Sequence, residues 1–333
     1  MGHRPYHRGV RNRLRSPRFV TAVCLTAVVA NAVLVLTGAL VRLTGSGLGC
    51  PTWPRCTDAS YVTTDAMGLH GVIEFGNRML TFVLSAVVLA CILATLLRRP
   101  RRRDLILLAC SLLGGIVAQA VLGGITVLTH LNPWTVAGHF LLSMGLIAAA
   151  VTLHVRSREG TGPARVVVRP QMRWLGGVLV AVTFLVLCLG TIVTGSGPHA
   201  GDSRAARTGF DPATVSQLHA DAVMLLIGLS IATLVALAAT GAPAAVRRAS
   251  LALLVVELAQ GGIGYAQYFT GLPVVLVALH VLGACLVWIA ALYLLLAMRE
   301  RAESGAVAVS ILPPVAAELP TQARTGRVGQ PPM

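Results

Sequence analysis

The sequence predicts an all-α integral membrane protein whose eight transmembrane helices form two pseudo-symmetric four-helix bundles. Three observations predict it. Eight apolar stretches of membrane-spanning length run through a chain of 333 residues that is 55% hydrophobic and only 12% charged. The segments between and beyond them alternate between arginine-rich and arginine-poor. Short motifs recur about 150 residues apart, which divides the spans four and four.

The elements follow in order. An N-terminal arm, residues 1–18, carries Arg4, Arg8, Arg11, Arg13, Arg15 and Arg18. The first span, about 19–41, is longer than a signal-peptide core and lacks a clear cleavage site, so it reads as retained. Spans at about 70–97, 104–128 and 134–154 complete a first bundle, 19–154. A linker, 155–173, holds arginines from Arg156 to Arg173. Spans at about 174–194, 215–240, 249–268 and 273–297 make a second bundle, 174–297. The tail, 298–333, is rich in Pro, Ala, Gly and Arg without periodicity and reads as disordered.

Arginine also fills Arg98–Arg103 and the pair Arg247–Arg248, whereas the loops at 42–69, 129–133 and 195–214 hold little of it. The positive-inside rule then places both termini in the cytoplasm and the chain in the plasma membrane. The net charge of +15 comes from arginines beside the spans. They are topology signals in a lipid bilayer, not a surface for nucleic acid.

Five of the seven cysteines (Cys24, Cys91, Cys110, Cys188, Cys285) lie in apolar spans and read as packing residues. Cys50 and Cys56 share one outer loop. The outer side is oxidising, so a disulfide is expected, with free thiols or a metal pair as alternatives.

The repeat is read from several pairs. Thr44-Gly45-Ser46-Gly47 recurs as Thr194-Gly195-Ser196-Gly197, after spans with similar endings at 37–41 and 189–193. Leu122-Gly123-Gly124-Ile125 echoes Gln260-Gly261-Gly262-Ile263. Even-numbered halves imply parallel repeats about an axis along the membrane normal.

Four histidines follow the repeat: His70 and His139 in the first half, His219 and His280 in the second. An imidazole inside a bilayer is costly without a partner. Pairs on the second and fourth helices of each bundle, near the outer ends, suggest haem iron held by two axial histidines.

Glu74 lies one helical turn below His70, in Glu74-Phe75-Gly76-Asn77-Arg78. Val223 stands at the equivalent place in the second half. An intramembrane carboxylate is a candidate for chemistry, and an i,i+4 ion pair with Arg78 is the structural alternative. Arg42, Arg78 and outer-loop polar groups are candidates for haem propionates. Asp221, Glu257, His130 and His199 receive no role.

These residues carry a resemblance. The stretch from Val41 to Leu48, with Cys50-Pro51, Trp53-Pro54 and Cys56, resembles the first outer loop of the haem A synthase family. Glu74 to Arg78 is similar to its second-helix motif, Gln119 with Leu122 to Leu128 to its third helix, and Thr194 to Gly201 to its fifth-helix exit.

The resemblance covers about 19–297 and implies an oxidoreductase. Such an enzyme oxidises the C8 methyl of haem O to a formyl group by successive hydroxylation and loss of water, giving haem A for cytochrome oxidase. It implies haem B in the second half as cofactor, haem O in the first half as substrate, and Glu74 as the essential acid. It also implies haem O synthase and a membrane electron donor as partners, with a homo-oligomer as a further expectation.

The family's usual histidine just before Arg78 is Asn77 here. His70, two turns earlier, is the preferred axial ligand beside His139; the alternative leaves His139 alone. The loop at 195–214 has no cysteine for a second disulfide. The rival readings are a di-haem b-type quinone oxidoreductase and a transporter.

Overall fold

The computed structural model describes residues 16–301. Eight of its helices are long and apolar enough to cross a membrane. They are α1 (Pro17–Leu43), α2 (Gly68–Leu97), α3 (Arg103–Leu128), α4 (Pro133–Arg158), α5 (Pro170–Ser196), α6 (Pro212–Ala239), α7 (Ala244–Phe269) and α8 (Val274–Ala297). The fold is all-α and that of a multi-pass membrane protein, as the sequence predicts.

The helix starts have local causes. Ser16-Pro17, Asn132-Pro133 and Asp211-Pro212 each set a polar cap before a proline. The Phe19, Trp134 and Thr214 amides donate to those three cap side chains. Proline in the first turn gives up no helical hydrogen bond. α4 runs to Arg158, past the expected end at 154, because that end is tied to α1. His154 Nδ1 lies 3.2 Å from the Thr21 carbonyl, and Ser157 Oγ donates to Thr21 Oγ1.

Each set of four helices closes a ring. α1 packs on α2, α2 on α3, α3 on α4 and α4 on α1; the same scheme repeats from α5 to α8. α8 meets α1 and α4, and α4 meets α5, along the seam. This arrangement is consistent with the duplication. α8 serves two cores at once: Cys285, Trp288 and Leu292 enter the first, Val287, Ala291 and Leu294 the second. Trp288 Nε1 donates across the seam to the Met144 carbonyl, 2.9 Å away. Outward residues such as Phe82, Leu107, Phe184 and Phe269 are exposed, as a lipid-facing surface requires.

Residues 299–301, expected in the tail without structure, are ordered. Arg299–Arg301 forms a strand, β2, antiparallel to β1 (Ala164–Val166) in the linker. The Glu159 carboxylate anchors it, 3.2 Å from Arg299 and 3.5 Å from Arg301. Backbone pairing and two guanidinium contacts fix what composition alone read as unstructured. The arm through residue 15 and the tail from 302 lie outside the described residues.

Candidate functional site

Three of the four histidines share one local arrangement. His139 is the seventh residue of α4, and a Cβ on Gly123 of α3 would lie 3.0 Å from its Cε1. His280, the seventh residue of α8, stands in the same relation to Gly264 of α7, also at 3.0 Å. His219, the eighth residue of α6, faces Gly190 of α5 at 3.4 Å. A Cβ would crowd the rings of His139 and His280, whereas at Gly190 it would make ordinary contact with His219. His219 and His280 are near enough to interact electrostatically.

The Nδ1 atoms of all three are buried without a hydrogen-bond partner among the described residues. A buried polar atom left unpaired costs about 1–3 kcal/mol. The His219 ring also meets the Val186 backbone. Imidazoles with an unpaired Nδ1 on facing bundle helices are a donor set that fits a haem iron bound through axial histidine.

Two glutamines repeat with the histidines. Gln119 Nε2 donates to the His139 carbonyl at 3.1 Å and to Ser143 Oγ at 2.6 Å; Gln260 Nε2 donates to the His280 carbonyl at 2.7 Å. They lock α3 to α4 and α7 to α8 at histidine level. The separation of His139 from His280 also links Gln119 to Gln260, Gly123 to Gly264 and Leu131 to Leu272. Both leucines adopt φ 60° at the turn between their helices.

This register corrects the match of Gly123-Gly124 with Gly261-Gly262. Neither Gly261 nor Gly262 has an atom within reach of a Cβ, and Gly264 is the one that seats a histidine. The repeated letters were a chance echo nearly one helical turn out of phase.

His70 is placed otherwise. It is the third residue of α2, exposed, with Nδ1 2.9 Å from Ser46 Oγ. Asn77, the tenth residue of α2, faces Gly38 of α1, with Nδ2 4.0 Å from where a Cβ would stand. Its Oδ1 is buried without a partner.

The first outer loop folds back over the first bundle. Cys50 and Cys56 form the expected disulfide, both sulfurs buried. The Cys50 amide donates to Glu74 Oε2 at 2.6 Å. Arg78 Nη2 donates to Glu74 Oε1 at 2.6 Å and to the Cys50 carbonyl at 3.0 Å. Arg78 Nη1 reaches the Thr52 and Arg55 carbonyls at 3.2 and 3.3 Å. The Glu74–Arg78 pair is thus formed, and both side chains hold the loop. Trp53 lies on Gly124, where a Cβ would come within 2.5 Å of its ring. Adjacent glycines of α3 therefore seat the loop and His139.

The second half has no such loop. Its shorter connection instead meets the first: the Gly47 amide donates to the Gly201 carbonyl at 2.9 Å, and Arg42 Nη2 donates to the Thr194 carbonyl. Arg42 Nε is buried and unpartnered. His199 Nε2 lies 3.0 Å from the Leu272 carbonyl, and His130 and Asp221 are exposed. Glu257 is buried, accepting from Ser230 Oγ at 2.9 Å.

Known proteins resemble this chain. A family model described as cytochrome oxidase assembly protein (COX15-CtaA) matches residues 21–201. A protein named heme A synthase from Lysinibacillus sphaericus is 28% identical over 183 residues, 53% of this chain and 58% of that protein. One from Bacillus pumilus is 30% identical over 182 residues, 52% of this chain and 58% of that protein. One from Listeria monocytogenes is 33% identical over 135 residues, 40% of this chain and 42% of that protein. The chain thus spans roughly half the length of these relatives. The family model runs from α1 through the first bundle into the loop after α5, more than half of the chain, and the chain belongs to the COX15-CtaA family of cytochrome oxidase assembly proteins.

Proposed function

We propose that this chain is a haem A synthase, an oxidoreductase that converts a methyl group of haem O to the formyl group of haem A. The observation that carries this reading is the glycine-seated imidazole with an unpaired Nδ1, built three times at matching levels of the two bundles. That the relatives are heme A synthases by name supports it.

His219 and His280 would hold a resident haem B, and the first bundle would take the substrate haem through His139. A bound haem would supply electron transfer and the oxidising chemistry. The protein's own residues do the rest. Gln119 and Gln260 fix the helices that carry the ligands. The disulfide loop, held by Glu74, Arg78 and Trp53, closes the first bundle against water. Glu74 is the buried acid available for proton exchange there. Arg42, with an unpartnered Nε, is placed to meet a propionate. His70 stands outside the seated set, exposed and bonded to Ser46 of the loop. Both termini are cytoplasmic, in the plasma membrane.

The test is to co-express the chain with a haem O synthase, purify it in detergent and identify the extracted haems by chromatography and mass. Haem B together with haem A or a hydroxylated haem O supports the reading. Haem B alone makes the chain an electron-transfer protein, and colourless protein removes haem from the account.

A further inference from the structure

We infer that the first bundle offers a haem iron a single protein ligand, His139, and that the opposite face, where the second bundle carries His219, is left to the Asn77 amide. The inference rests on the haem reading above and concerns how the two bundles differ.

Four helix-against-helix contacts of one kind recur. Gly123 faces His139, Gly264 faces His280, Gly190 faces His219 and Gly38 faces Asn77. In each, the facing side chain keeps a buried polar atom without a partner: Nδ1 in the three histidines, Oδ1 in Asn77. Gly38 and Gly190 correspond, since Thr37 to Val41 and Leu189 to Val193 end their spans alike. Asn77 is therefore the fourth member of the set.

Helix register agrees. The first-half outer loop is longer than its counterpart, so the offset between repeats shrinks on crossing it. α1 and α5 end at 43 and 196, but α2 and α6 begin at 68 and 212, and α3 and α7 at 103 and 244. Carrying the earlier offset of about 150 across the loop pairs His219 with His70. The offset of α2 against α6, or α3 against α7, pairs it with residues 75–78, which include Asn77.

Depth agrees as well. The three seated histidines are the seventh, eighth and seventh residues of their helices; Asn77 is the tenth and His70 the third. At about 1.5 Å per residue, Asn77 is about 3–4.5 Å from their level and His70 about 6–7.5 Å. His70 is also exposed and engaged with Ser46.

An amide is a poor ligand for haem iron, whereas two imidazoles fill both axial positions. The first-bundle iron would therefore keep one face open to a small exogenous ligand such as carbon monoxide or cyanide, and the second-bundle iron would not.

The test loads the purified full-length protein with haem and reads ferric spin state by electron paramagnetic resonance and carbon monoxide binding to the ferrous form. The expected result is one low-spin haem and one haem that binds carbon monoxide. Asn77→His should make both haems low-spin and cut carbon monoxide binding at least tenfold. Asn77→Ala and His70→Ala should leave both signals as they are, and His139→Ala should remove the carbon-monoxide-binding haem. Two low-spin haems in the unmodified protein, one becoming high-spin in His70→Ala, would overturn the inference while leaving the haem reading intact. Failure to take up any haem would overturn both.

Discussion

Glu74→Ala should release the disulfide loop from the first bundle, and the size of the effect can be worked from its contacts. The substitution removes the acceptor of the Cys50 amide and the partner of Arg78, both at 2.6 Å. Arg78 keeps its carbonyl partners in the loop and its side chain is 21% exposed, so it is not stranded. The Cys50 amide is. A hydrogen bond to a charged group contributes about 1.5–3 kcal/mol, and truncating one member of a buried pair costs about 3–5 kcal/mol. The partial exposure of Arg78 favours the lower end, about 3 kcal/mol. At about 1.4 kcal/mol per factor of ten, the loop opens roughly 150-fold more often.

Hydrogen exchange of the amides at 50–56, in detergent or nanodiscs, reads this directly. Glu74→Gln keeps an acceptor for Cys50 but loses the ion pair, and should give about a tenfold effect. An exchange rate in Glu74→Ala within threefold of the unmodified protein would refute the idea that this carboxylate holds the loop. Comparing the two variants also separates holding from chemistry. If Glu74→Gln protects the loop yet turnover of haem O stops, the charge or its proton is needed for the reaction itself.

The remaining predictions test other parts of the arrangement. Gly264→Ala and Gly123→Ala should displace the facing imidazoles at about 1–3 kcal/mol of strain each, with loss of bound haem from the corresponding bundle. Gly190→Ala, with 3.4 Å of room, should shift the haem absorption bands less, which spectra of the three purified variants would show. Gly124→Ala should eject Trp53, detected as a change in its fluorescence and faster exchange in the loop. Asp211 caps α6 through the Thr214 hydroxyl and amide, which hold its carboxyl below the usual carboxylate range. A lowered carboxylate pKa stabilises above the unfolded value and is lost as pH falls through the folded one. Protection of the amides at 213–216, relative to their intrinsic exchange, should therefore fall below about pH 4, and Asp211→Ala should show that lower protection already at neutral pH.

Much of the architecture was legible because membrane helices announce themselves. A run of about twenty apolar residues admits few other structures in lipid, and cap-proline pairs such as Ser16-Pro17 mark the starts. His139, His219 and His280 stood out because an imidazole among leucines and valines needs a partner. The disulfide was legible from two cysteines in one outer loop. The repeat register was not, for a physical reason. Helix packing preserves the spacing of facing residues within helix pairs, as with Gly123–His139 and Gly264–His280, but loops tolerate insertion. An offset taken before the first outer loop therefore misplaces everything after it. The roles of Arg78 and Trp53 in holding that loop were equally hidden, since their partners are backbone carbonyls and a glycine, which leave no sequence signal.

The two bundles share a scaffold and differ where the site needs them to differ. The second seats two histidines on two glycines and has a short outer connection. The first keeps the scaffold but replaces one seated histidine by Asn77 and adds a loop pinned by a disulfide, Glu74, Arg78 and Trp53. These departures fall at one end of one bundle, on α2, α3 and the loop between α1 and α2. A duplication kept only for packing would leave such changes scattered. On the proposed haem reading, their concentration beside His139 gives the half with the fewer seated histidines the better cover. That would suit a reacting centre, where an exchangeable position at the metal and exclusion of water belong together, whereas two seated imidazoles would suit a centre that only passes electrons.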